Sequence, residues 1–191
     1  MNAPNPPPAA LPAPASVVDF WRAAGPKAWF RKDPAFDAAL RTRFETAHDA
    51  AARGELSAWE ASAEGALALI LLLDQIPRNL WRGSARAFET DAVAREVSRR
   101  AIAAGRDRAV EPGLRVFVYL PFSHSETLAD QELGLALTEA LERDGGPSAA
   151  SARGHRAIVA RFGRFPHRNA VLGRDTTAEE QAFLNAGGFA G

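Results

Sequence analysis

The sequence predicts an all-α fold built from stacked antiparallel helical hairpins. Three observations support this fold class: apolar residues recur at helical spacing, capping residues and prolines precede the apolar runs while glycines follow them, and the connections are short. The 191 residues, 47% of them hydrophobic, suffice for one domain with a sizeable core. We expect residues 16–191 to form a single helical domain.

Residues 1–15 differ from this domain in composition. Residues 2–15 contain six of the thirteen prolines and no charged side chain, so residues 1–15 are expected to form a disordered Pro/Ala-rich tail. They lack the basic segment and continuous apolar run of a secretory signal peptide. The longest apolar run, Ala66–Leu73, is too short to span a bilayer. We therefore expect a cytoplasmic protein that does not enter a membrane.

The next two helices are predicted from their start signals. Asp33 is an N-cap followed by a proline at the first helical position, and Gly54 closes that helix. The segment SAWE, which begins at Ser57, has the pattern of a capping box and opens the following helix. That helix is apolar nearly all round, which predicts a buried central element that ends at Pro77.

The remaining elements follow from similar signals. Four more helices are predicted, with the bounds Ser84–Gly105, Ser123–Arg143, Ser148–Phe162 and Thr177–Gly187. The segment Arg115–Leu120 is open between two structures, because its β-branched residues favour a strand and the proline ahead of it favours a helix start.

Two similar corners are the most distinctive feature of the chain. IPRN at 76–79 and FPHRN at 165–169 each follow an apolar helical run and present arginine and asparagine after a proline. Because proline lacks the N–H that a continuing helix needs, each corner is predicted to break its helix and turn outward. We expect the two corners to form the walls of one polar site.

Arginines concentrate near the second corner. Residues 145–174 contain six arginines, two histidines and no carboxylate. Guanidinium groups bind carboxylate and phosphate in a planar, bidentate manner, so an anion pocket is one interpretation. The other is structural, since residues 124–144 are acidic and can pair with these arginines. The predicted ligand-binding residues are Arg78, Asn79, Arg82, Arg86, Arg164, Arg168 and Asn169.

Three functional hypotheses remain open at this point. The first is a module that binds an anionic small molecule or an acidic peptide. The second is an enzyme acting on such an anion, with His124 or His167 as general acid or base and Asp130 or Asp74 orienting it. The third is a structural or protein-interaction scaffold in which the polar corners only lock helices together. No motif specifies a reaction, so the sequence leaves open whether the protein is an enzyme.

Composition excludes several other classes. The 23 basic and 23 acidic residues balance, which argues against a nucleic-acid or membrane partner. Cysteine is absent, and the histidines lack the close spacing of metal ligands, so we expect no metal site. No phosphate loop or dinucleotide fingerprint occurs, and no cofactor is expected. The sequence does not determine the oligomeric state.

Several segments together resemble the bacterial DUF924 family, a family of unknown function. The resemblance covers residues 16–189 in order. The family is grouped with tetratricopeptide-like helical proteins, which implies a superhelix with a concave face, although the 34-residue consensus of such repeats is not visible here. The segments are DFW at 19–21, WFRKD at 29–33, LALILLLDQIPRN at 67–79, GSARAFETDA at 83–92, YLPFSHSETLADQ at 119–131 and RFGRFPHRNAVLGRDTTAEEQAFL at 161–184.

Overall fold

The computed structural model of the protein describes residues 11–189, and all regular structure within that range is helical. The all-α prediction is therefore confirmed, whereas the tetratricopeptide-like superhelix stays a prediction. The α-helices are α1 (Pro14–Ala24), α2 (Pro26–Trp29), α3 (Pro34–Ala52), α4 (Ala63–Ile70), α5 (Ile76–Leu80), α6 (Asp91–Ala103), α7 (Pro112–Ser123), α8 (Leu128–Arg143), α9 (Ala150–Phe162) and α10 (Ala178–Asn185). Short 3₁₀ turns lie at Ser57–Ala61, Ala85–Phe88, Arg106–Ala109 and Pro166–Arg168.

The predicted tail is described only in part. Residues 1–10 of the expected disordered segment lie outside the described residues. Helix α1 begins at Pro14, two residues before the predicted start of the domain. A proline is favoured there because the first helical position needs no N–H partner.

The N-terminal caps agree with the sequence in some helices and not in others. Asp33 caps α3 as predicted, accepting from the backbone N–H of Ala35 at 3.0 Å. The predicted capping box at Ser57 is wrong, because that segment forms a 3₁₀ turn and Ser62 caps α4 through the N–H of Gly65. The capping box at Thr177 is confirmed.

The C-terminal half contains two further corrections. Arg115–Leu120 lies within helix α7, which settles the choice between helix and strand. The predicted capping box at Ser123 is wrong: that serine ends α7, His124 is its C-cap, and α8 begins at Leu128.

Helix α4 lies at the centre of the main hydrophobic core, as its apolar sequence predicts. All of its residues from Gly65 to Ile70 are buried. Trp21, Leu40 and Phe117 belong to the same core and are fully buried. A second, smaller cluster is formed by Ile158, Val159 and Phe165, with Phe162 and Phe183 packed against it. The C-terminal segment therefore has an apolar cluster of its own.

The helix does not break at Pro77, contrary to the sequence prediction. A π-helical turn, Leu71–Gln75, joins α4 to α5, and the helix ends only at Leu80. Pro77 has no N–H to donate to the Leu73 carbonyl. That carbonyl instead accepts a hydrogen bond from the Thr90 hydroxyl at 2.5 Å. The Leu72 carbonyl is 2.8 Å from Nδ1 of His48. Side chains thus satisfy the carbonyls that proline and the π turn release, and the helix continues.

At the second corner the helix does end, but the proline is not what ends it. Helix α9 ends at Phe162, and its C-cap Gly163 has a φ of 68°, in the left-handed region that suits glycine. Pro166–Arg168 then forms a separate 3₁₀ turn. Within the described range, no helix is both long and apolar enough to cross a membrane.

Candidate functional site

The structure brings the two corners to one cavity of about 640 Å³. The first corner contributes Arg78, Asn79 and Arg82, and the second contributes His167 and Arg168. Helices α2, α7 and α9 provide further walls. The cavity lining also includes Trp29, Phe30, Lys32, Phe88, Leu120, His124, His155, Phe165, Val171 and Phe189.

The arginines of the first corner are already neutralised by carboxylates. Arg78 makes a bidentate pair with Asp91, at 2.8 and 2.9 Å, and lies 3.4 Å from the Asp74 carboxylate. Arg82 donates to Asp37 at 2.7 Å. These guanidinium groups hold helices together and have little capacity left for an external anion.

Asp74 and His124 form a hydrogen-bonded pair at the cavity. The Asp74 carboxylate is fully buried and lies 2.7 Å from Nδ1 of His124. Burial opposes ionisation of Asp74, but Arg78 and His124 outweigh it and lower the pKa of Asp74. Burial and the charge of Arg78 lower the pKa of His124 below its usual value. Near neutral pH, a neutral His124 therefore donates from Nδ1 to the carboxylate and leaves Nε2 free to accept a proton.

Arg168 of the second corner differs, because no carboxylate within residues 11–189 accepts a hydrogen bond from it. Its guanidinium carbon lies 4.6 Å from the centre of the Phe88 ring and 4.5 Å from that of Phe165. Nη1 donates to the His124 carbonyl at 3.0 Å and is 3.7 Å from Asp91. Nε is buried and has no hydrogen-bond acceptor among the described residues. Burial, together with Arg78, lowers the pKa of Arg168 to about 10, so the group remains charged at neutral pH.

Two more histidines border the cavity near Arg168. The Nδ1 atoms of His155 and His167 are buried without a hydrogen-bond partner among the described residues. Burial lowers the pKa of His155 to about 3 and that of His167 to about 4, so both rings are neutral at pH 7. Their rings lie 4.7 and 5.0 Å from that of Phe189. Across residues 11–189, no three histidine or carboxylate side chains are grouped so that they could hold a metal ion.

Three predicted ligand-binding residues lie outside the lining of this cavity. Arg86 stacks on Trp81 at 3.9 Å and pairs with Asp49. Arg164 donates to Glu180 at 2.6 Å, and Asn169 donates to the same carboxylate at 3.2 Å. Their contacts hold the corners to neighbouring elements.

Asp130 also lies away from the cavity lining. It pairs with Arg95 and Arg99 and accepts from the hydroxyl of Ser125. The carboxylate in contact with His124 is instead Asp74, the other acid that the sequence offers for this role.

The arginine-rich segment largely follows the structural interpretation. Arg153 and Arg156 pair with acids of α8, and Arg161 pairs with Glu179 of α10. Arg174 makes a bidentate pair with Glu126, at 2.6 and 3.0 Å. Glu126 also accepts from the N–H of Phe165, so it anchors the second corner and does not cap a helix.

Several cavity residues carry no recognisable signal in the sequence. Lys32 lines the cavity and makes no salt bridge with any described residue. Phe30 is 69% exposed at the same site, and Phe189 is 39% exposed. Phe30 and Lys32 follow the short helix α2, and only the fold shows that they lie at the same cavity as the corners.

Comparisons with known proteins agree with the resemblance seen in the sequence. The family model described as "Bacterial protein of unknown function (DUF924)" matches residues 17–188. The chain is similar to a solved structure of a protein of unknown function, ATU0120, from Agrobacterium tumefaciens. The two share 52% sequence identity with a TM-score of 0.87, over 91% of this chain and 97% of the other. No curated protein matches the chain.

Proposed function

The chain belongs to the bacterial DUF924 family of unknown function, and we propose that it binds a small anionic molecule in the cavity between the two corners. The volume of about 640 Å³ is in the range of small-molecule sites. A half-open cavity of this size favours a small molecule over an acidic peptide.

The observation that carries the proposal is the state of Arg168. A buried cation is costly unless an anion and hydrogen-bond acceptors compensate it. Arg168 is 7% exposed, has an unused donor at Nε and borders the cavity. An anion that enters the cavity adds to the partial compensation from Asp91, at 3.7 Å, and from the His124 carbonyl.

Thermal shift and calorimetry with a panel of carboxylates and phosphates test this proposal. Saturation at about 100 times the dissociation constant stabilises the protein by roughly 2.7 kcal/mol, which gives a clear rise in Tm. We expect Arg168→Gln to abolish that rise. Arg153→Gln is the matched control, because Arg153 lies in the same arginine-rich segment but pairs with α8. A panel with no stabilising anion, or equal loss in both variants, contradicts the proposal.

A second candidate function is catalysis by the Asp74–His124 pair. The pair has the arrangement of an oriented general base, with a neutral imidazole fixed by a buried carboxylate. Turnover of ester and phosphate substrates is the measurement. We expect His124→Gln to remove turnover while keeping ligand binding, and Arg153→Gln, away from the cavity, to keep both. Unchanged turnover in His124→Gln contradicts catalysis.

A further inference from the structure

The geometry of the unused N–H donors on Arg168 restricts the chemical class of the ligand. This inference rests on the proposed anion binding. Two rings pack on the guanidinium group, since the centres of Phe88 and Phe165 lie 4.6 and 4.5 Å from its carbon atom. Aromatic rings pack on the face of a guanidinium group, so its N–H groups at the edge are the ones that can bind a ligand. Nη1 is used by the His124 carbonyl, so the edge without an acceptor among the described residues is the one that carries the buried Nε. This edge offers two parallel N–H groups, a match for a planar carboxylate.

The charge around the cavity limits the ligand to a single negative charge. The lining contains four cations: Lys32, Arg78, Arg82 and Arg168. Three carboxylates, those of Asp37, Asp74 and Asp91, contact these cations, and the cavity histidines are neutral near pH 7. The four cations exceed the three carboxylates by one positive charge. A carboxylate balances it, whereas a phosphate ester with a charge of about −2 exceeds it.

The rest of the cavity is apolar and aromatic. Trp29, Leu120 and Val171 line it together with the exposed rings of Phe30 and Phe189. Large aromatic side chains at 69% and 39% exposure leave apolar surface in water, and a ligand with an apolar body would cover it.

From these three features we propose that the ligand is a monocarboxylate with an apolar body of aryl or short-chain alkyl type. Its carboxylate binds the Nε edge of Arg168, and its body packs on Phe30 and Phe189. Because Nε is covered, binding requires a rotamer change in a neighbouring ring, which is common at binding sites. Inorganic phosphate and small carboxylates without a body bind weakly.

Isothermal titration calorimetry near neutral pH, with matched probes, tests the ligand class. The probes are 4-phenylbutyrate and octanoate, their neutral amides, acetate, phenyl phosphate and inorganic phosphate. We expect the two long carboxylates to bind at least about tenfold more tightly than each of the others, since a charged hydrogen-bonded pair and apolar burial each contribute that much. Binding should also show a negative heat-capacity change from apolar burial.

Two variants measure separately what the carboxylate and the apolar body of the ligand contribute to binding. Arg168→Gln should remove the preference for 4-phenylbutyrate over its amide. Phe30→Ala, at a position that is 69% exposed, should weaken 4-phenylbutyrate by about tenfold and leave acetate unchanged. Arg153→Gln should bind like the wild type. Phe30→Ala keeps the test available if Arg168→Gln does not fold.

The outcomes distinguish this inference from the proposed function. If phenyl phosphate or inorganic phosphate binds more tightly than the carboxylates, the monocarboxylate inference is overturned and anion binding stands. If the amides bind as tightly as the acids, the Arg168 head-group assignment is overturned. If no anion binds the wild type, both proposals are overturned.

Discussion

The two corners share the order proline, arginine and asparagine, yet they differ in structure and chemistry. The first lies within a continuous helix of the main core, and its Arg78 is paired with two carboxylates. The second is a 3₁₀ turn beside a small separate cluster, and its Arg168 is held by two aromatic rings with one donor unused. A guanidinium group is therefore structural or available to a ligand according to the partners that other parts of the chain supply.

The largest effect is expected when Arg78 and Arg168 are each replaced by methionine. Arg78→Met leaves Asp74 and Asp91 as buried carboxylates without their cation, and should lower the free energy of unfolding by about 3–5 kcal/mol. Arg168→Met removes a buried cation that has no carboxylate hydrogen bond, and should cost clearly less. Chemical denaturation measures both. Equal losses would remove the distinction between the corners and favour a purely structural role for each.

Acid sensitivity should arise from the buried histidines, most strongly from His155 beside the second corner. Its pKa is about 3 in the folded protein and near 6.5 when unfolded, so below pH 6.5 only the unfolded chain takes up the proton. Stability should therefore fall as pH drops from 6.5 towards 3, by up to about 1.4 kcal/mol per pH unit from this group.

His155→Phe keeps a ring but cannot be protonated. Denaturation at several pH values should show a shallower loss of stability in this variant than in the wild type. An unchanged slope would mean that His155 takes up its proton equally in the folded and unfolded chains.

A smaller effect is expected at the first corner from Thr90→Val. This change removes the hydroxyl that satisfies the Leu73 carbonyl ahead of Pro77 while keeping the shape of the side chain. An unsatisfied buried carbonyl should lower the free energy of unfolding by about 1–3 kcal/mol. Thr42→Val is the matched control, because its hydroxyl bonds an exposed carbonyl of its own helix. Similar losses of unfolding free energy in the two variants would show that the Thr90 hydroxyl does not stabilise the helix at Pro77.

The sequence predicts much of the fold because local signals decide it. The Asp33 cap, the Thr177 capping box and the apolar helix α4 follow from residues within one or two turns. The continuation past Pro77 does not, because its partners, Thr90 and His48, come from other elements. A local pattern cannot anticipate a hydroxyl supplied from a distance.

The candidate site is predictable only in outline. The repeated corner and the arginine-rich segment point to the region of the cavity, but ion pairing with acids elsewhere in the chain decides which guanidinium group keeps an unused donor. The two rings that pack on Arg168 belong to Phe88 and Phe165, which are far apart in the chain. Phe30 and Lys32 line the same cavity from the N-terminal region, which is also far from both corners in the chain.

The π turn at Leu71–Gln75 determines the direction in which each later side chain of its helix points. Such a turn is equivalent to one extra residue inserted into an α-helix, and each residue rotates the helix by about 100°. With regular α geometry from Ile70 onward, Arg78 would point away from Asp91, and the face that carries the cavity would turn by the same angle. One residue of helical register therefore decides whether this end of the protein forms a cavity wall or ordinary surface.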